Sequence, residues 1–187
     1  MKKFPALLLI ILVSSLSAGI YGILHDVVTY RISPEYYTHY KFIDFGLTDA
    51  SDQHIANPQL LAVFAGFMAT WWVGFIVSAV LGAVVLKFTN SNSRELIRFT
   101  IHNTLLILAV VLICGLIGYI WGSIVADGSE RHISWRDILL TSQQARSFTI
   151  VSFIHSFGYI GSVIGFAIAI TRTVNKIKKS NLPNTAN

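Results

Sequence analysis

Four uninterrupted apolar runs, none containing an Asp, Glu, Lys or Arg, decide what this chain can fold into. They cover about residues 4–24, 60–86, 99–125 and 148–171. Lipid offers no partner to a backbone N–H or C=O, so a spanning segment must satisfy them internally, as a helix does. A hydrocarbon core of about 30 Å takes about 20 helical residues to cross, and each run reaches that length. The expected fold class is therefore an all-α membrane protein. It is read as a compact four-transmembrane-helix bundle with short amphipathic helices on the outer face, forming a single integral membrane domain over residues 1–187. Composition agrees, because only 12% of residues are charged against about 25% in soluble domains. A net charge of +5 would suit nucleic acid, but the basic residues flank the apolar runs and form no stripe with interleaved aromatics. No nucleic-acid partner is expected. The bilayer is.

The flanking charges set an orientation. With the N-terminus inside, Lys2, Lys3, Lys87, Arg94, Arg98, Arg172, Lys176, Lys178 and Lys179 are cytoplasmic. Arg31, Lys41, Arg131, Arg136 and Arg146 are outside, together with eight of the nine acids. This bias follows the positive-inside rule and puts both termini in the cytoplasm. The first run has a second reading. Lys2-Lys3, the run from Leu7 to Val13 and the small residues Ser15, Ser17 and Ala18 resemble a secretory signal peptide. The apolar run continues to Leu24, longer than a usual signal core, which favours an uncleaved helix.

Small residues recur every fourth position. Ala62, Gly66, Thr70, Gly74, Ser78 and Gly82 form the longest such series, with shorter ones at Ser14, Ala18, Gly22, at Cys114, Gly118, Gly122, Ala126 and at Gly161, Gly165, Ala169. In lipid, helices associate by close backbone approach rather than by hydrophobic force, so these faces predict tight crossings. They suit contacts within one chain or between chains, and a homo-oligomer or larger membrane complex is expected. The short polar connection over residues 88–93 predicts that the second and third segments pair as a hairpin, with Asn92 and Glu95 as a capping box. Ser134 and Asp137 suggest a further short helix through Trp135 and Leu140, or an extension of the fourth segment.

Chemistry-bearing residues gather in the outer cap, residues 25–58. Ser33 suits an N-cap, Pro34 the first helical position and Glu35 the first turn, so a short helix over residues 34–42 follows. Glu35 and His39 share one face of it. Tyr36 and Tyr40 share another and are expected at the headgroup level. His155 is the ionisable residue inside a span; such groups face the bundle and often serve function. It shares a side with Gly158, Ser162 and Ala169 and sits close enough to the outer surface to approach His25 and Asp26. The candidate metal ligands are thus His25, Asp26, Glu35, His39 and His155. Imidazole with carboxylate suits a zinc or iron ion or general acid-base chemistry; an ordinary hydrogen-bonded cap is the plainer reading of the same residues. His102 lies near the inner boundary, too deep to share a haem with His155, and reads as an interfacial pair with Asn103. His54 and His132 read as solvated surface. Trp71-Trp72 fills space or touches a lipid or quinone-like ligand. Cys114 reads as a small buried residue.

The segment H-D-x-V-T-Y-x-I-S-P-E-Y-Y-T-x-Y-K-F, from His25 to Phe42, resembles one found in small bacterial four-helix inner-membrane proteins to which no activity attaches. The resemblance implies a bacterial inner (plasma) membrane location. Three functions remain open: a subunit or assembly partner without catalysis, a metal-dependent membrane enzyme or redox protein with an outer His/carboxylate site, and a small transporter or channel subunit.

Overall fold

Helical structure extends past most ends of the apolar stretches, furthest at the C-terminal ends of the first and the fourth. The computed structural model describes residues 3–49, 57–88, 93–129, 132–133 and 138–180. Its elements are α1 (Lys3–Ile32), α2 (Pro34–Tyr36), a π-helical turn (Tyr37–Lys41), α3 (Phe42–Asp44), α4 (Pro58–Phe88), α5 (Ser93–Val125), the strand pair β1 (His132–Ile133) and β2 (Ile138–Leu139), and α6 (Ser142–Ser180). Four of them, α1, α4, α5 and α6, are long and apolar enough to cross a membrane, so the four-helix bundle read from the sequence is the architecture found.

One boundary differs where it matters. His25 was expected at the end of the first helix, but α1 continues to Ile32. Its stop is Pro34, whose ring disfavours the α region for the residue before it. Ser33 accordingly turns extended, at φ −143° and ψ 93°, and its hydroxyl caps the next helix by accepting from the Tyr36 N–H at 3.3 Å. His25 and Asp26 therefore sit on a rigid helix rather than in a loop. Beyond α5, the expected interfacial helix is absent at residues 138–139, which pair antiparallel with 132–133. Asn92, Ser134 and Asp137, and with them both proposed capping boxes, lie outside the described residues, as does His54.

The bundle consists of two tight antiparallel pairs, α1 with α4 and α5 with α6. The small-residue faces make both. Gly22 and Gly66 touch backbone to backbone, so that a Cβ on either would strike the other's carbonyl. A Cβ at Gly74 would lie 2.5 Å from the Ser14 carbonyl, and one at Gly118 2.5 Å from that of Phe153. Gly161 backs onto Cys114 and Gly165 onto Ile107. The expected hairpin between the second and third segments is thus secondary: α4 spends its small face on α1, and α4 and α5 meet along a thinner contact. The two pairs join through Leu81, Ile107, Val111 and Ala169 and through a Ser14 to Thr104 hydroxyl contact of 3.3 Å.

A cap closes one end. Tyr36, Tyr37 and Phe42 are buried against Ala62 and Ala65 of α4 and Val151 and Ile154 of α6. It ends at Gly46, whose φ of 65° is a left-handed conformation that glycine takes without strain. Of the two tyrosines expected at the headgroup level, Tyr36 is buried in the top of the bundle, where Tyr37 joins it, and Tyr40 is half-buried.

Candidate metal centre

At the cap end α1 and α6 meet through their histidines. The His25 and His155 rings stand edge to face, with centroids 4.8 Å apart. Among the described residues, His25, Asp26 and His155 are the one group whose potential ligand atoms all lie within 4.8 Å of one another. His155 and Asp26 are 6% and 1% exposed. The helix unbroken through position 26 places the first two, and the packing side of α6 places the third.

The cap then covers the trio. Tyr36 stacks on the His155 ring at 5.0 Å and 11°. The Tyr37 hydroxyl lies 2.6 Å from the Thr29 hydroxyl and 3.4 Å from His155 Nε2. Thr29 itself donates to the His25 carbonyl at 2.8 Å, and the Tyr21 hydroxyl lies 3.5 Å from His25 Nδ1. Burial, with the Asp26 carboxylate adding to it, pushes the Tyr37 phenol well above its ordinary pKa; burial does the same to Tyr36. Both stay protonated, so Tyr37 keeps a hydrogen to donate.

Lys41 supplies the counter-charge. Only 4% exposed, it donates to Asp26 Oδ1 at 2.8 Å and stands 2.6 Å from Oδ2. Burial pulls its ammonium below the usual lysine range, and attraction to Asp26 opposes that pull. The ammonium meets Oδ2 as an ion pair rather than as a well-aligned hydrogen bond, and a buried carboxylate needs such a positive charge beside it.

Three of the five residues singled out from the sequence therefore converge, and two stand apart. Glu35 accepts from Gln144 Nε2 at 3.0 Å and from the Ser33 hydroxyl at 3.3 Å, tying the cap to the start of α6. His39 is half-buried and outside the group. The reason is the register of the cap helix, in which Tyr36, Tyr37 and Lys41 take the inward positions. Sequence reasoning missed Lys41 and Tyr37 as site residues. Their i, i+4 spacing is the same signal that paired Glu35 with His39. Elsewhere, His102 is exposed while Asn103 is fully buried, so they make no pair, and Trp71 and Trp72 are exposed on the flank of α4.

Below the trio lies a cavity of about 110 Å³, lined by all four long helices. Two imidazoles and a carboxylate, closed by a cap on one side and open to this space on the other, can hold a cation and leave one face of it accessible. No protein-family model, curated protein or solved structure matches the chain.

Proposed function

We propose that this is a membrane-embedded metalloprotein in which His25, Asp26 and His155 hold one divalent zinc or iron ion. The observation that carries the reading is the convergence of three ligand side chains from two helices, with their ligand atoms within 4.8 Å of one another. Two histidines and one carboxylate are the protein ligands of several catalytic zinc sites and of non-haem iron centres, where a further position stays open for water or substrate. Bonds of about 2 Å to a tetrahedral ion put ligand atoms about 3.3 Å apart, so a pair at the 4.8 Å limit has to close by about 1.5 Å as the ion binds. The tyrosine contacts use one nitrogen of each ring and leave the second for the ion, the usual way a ligating histidine is oriented. Lys41, within 2.8 Å of both carboxylate oxygens, would hold the carboxylate in place beside the ion. The positive-inside bias supports an outer-face position for this end of the bundle and the site, with both termini cytoplasmic, and the resemblance of the His25–Phe42 segment supports a bacterial inner membrane.

Metal analysis of the purified protein tests the reading. One equivalent of zinc or iron per chain is expected after chelation and reloading, and His25→Ala and His155→Ala should each abolish it. Retention no better than in these variants refutes it. One observation favours a second reading: Lys41 already neutralises Asp26, and Tyr36 and Tyr37 already pack His155. On that reading the cluster is a structural cap, and the protein is a subunit or assembly partner of a larger membrane complex. Absence of bound metal with an undisturbed fold supports it.

A further inference from the structure

The cavity beneath the metal site has a polar end and an apolar body, and the contrast is sharper than its lining residues suggest. Ala18, Val73, Val77, Ile107, Leu108 and Val111 form much of the wall. The Thr and Ser hydroxyls that line it are each committed to backbone: Thr70 donates to the Ala18 carbonyl at 2.7 Å, Thr104 to that of Thr100 at 3.1 Å and Ser162 to that of Tyr159 at 2.7 Å, while the phenols of Tyr21 and Tyr159 also line it. The Thr and Ser side chains present carbon and occupied oxygen. Unsatisfied polarity is confined to the cap end, where His25, Asp26, Lys41 and His155 border the same space. Along α1 the lining runs from Ala18 to Asp26, about 12 Å at 1.5 Å per residue.

Two features mark this as space for an occupant rather than loose packing. A Cβ built on Gly158 meets nothing within 4 Å, whereas most of the other helical glycines are jammed against a neighbour. Tyr159 beside it lines the cavity and is still 60% exposed on the flank of the bundle, so the space reaches the lipid-facing surface there. At about 110 Å³ it is smaller than the roughly 150 Å³ of an engineered apolar cavity that takes up benzene, so an occupant longer than that ring extends out of it past Tyr159. The charges select the head group. Lys41 and Asp26 cancel, so a divalent ion leaves the site with a net positive charge in a low-dielectric setting, which an anion relieves.

We propose that the cavity binds a single-chain anionic amphiphile, a fatty-acid-type carboxylate. Its head reaches the metal site and its chain lies between the two helix pairs, entering past Tyr159. The head-group half of the proposal rests on the metal reading; the chain half rests on the cavity alone. The test is ¹³C NMR of carboxyl-labelled decanoate added to the purified, zinc-loaded protein in detergent, with zinc content measured in parallel. A saturable bound signal at one equivalent is expected for the wild type. Gly158→Leu, which places its side chain in the open space, should weaken it at least tenfold while retaining zinc. Ser162→Leu, one turn deeper, repeats the block should the first variant fail to fold. Decanoate binding equal in the wild type and a folded blocking variant, or no saturable signal at all, overturns the proposal. If decanoate binds, is blocked by Gly158→Leu and ignores chelation, the cavity site stands and the head-group half of the proposal falls; the metal reading falls with it only if zinc is also not retained. If zinc binds stoichiometrically and decanoate does not, the cavity proposal falls alone.

Discussion

Replacing Lys41 by Met removes one charge of a buried pair and leaves the other in place. Lys41 and Asp26 side chains are 5% and 2% exposed, with Nζ 2.8 Å and 2.6 Å from the two carboxylate oxygens. Solvent screening at such exposure is slight, so the discount applied to surface pairs does not hold here. Removing one partner of a buried pair costs about 3–5 kcal/mol, most of it from the charge left uncompensated. Lys41→Met is therefore expected to lower unfolding stability by that amount in chelator, measured by denaturant titration in mixed micelles. Adding Asp26→Asn to it removes the orphaned charge and should restore most of the loss, giving a coupling energy of about 3 kcal/mol in the double-mutant cycle. Zinc supplies a second test. At 100 times its dissociation constant a ligand stabilises the folded state by about 2.7 kcal/mol. The metal should stabilise Lys41→Met at least that much, since it then provides the only positive charge on Asp26. A Lys41→Met protein within about 1 kcal/mol of wild type in chelator refutes the claim that Asp26 depends on Lys41.

The helix pairing makes a contrast between glycines. Gly66→Leu should abolish stable folding, because its Cβ collides with the Gly22 backbone, while Gly158→Ala should be neutral or stabilising by up to about 1 kcal/mol from helix propensity; thermal unfolding in detergent compares them. Tyr37→Phe removes the hydroxyl that touches Thr29 and His155, and zinc titration should show affinity reduced about 10–100-fold with the fold retained. A cysteine introduced at Ser51 should react with a membrane-impermeant reagent in intact cells, and protection from it overturns the orientation.

Much of the fold was legible because lipid leaves the backbone few options. Charge-free runs of spanning length gave the four helices, and a repeat of four gave Gly66, Gly74 and Gly82 their contact with α1. What the runs could not give was pairing. The series at Cys114–Ala126 and Gly161–Ala169 look alike in sequence, and only shape matching decides that they meet each other. The site was partly legible for the same reason. His155 stood out because a histidine inside a span needs company, and helical phase directed it toward His25 and Asp26. Glu35 and His39 were equally plausible by residue type and spacing. They were lost to the register of the cap helix, which turns Tyr36, Tyr37 and Lys41 inward instead. A lysine on a short outer helix reads as solvated; its burial follows from the aromatic residues that close around it, a tertiary fact.

The division into two glycine-sealed pairs bears on how the chain is assembled. Each pair is made of helices consecutive among the spans, so α1 and α4 are both synthesised before α5 emerges, and they can lock together without waiting for the rest. The second pair forms likewise, and the last event is the docking of two finished halves across a seam that His25 and His155 bridge from opposite sides. The two halves divide between Phe88, where α4 ends, and Ser93, where α5 begins. Neither half alone carries both histidines, so the proposed metal site would come into being only when the halves meet, which would make it a reporter of correct assembly as well as a product of it.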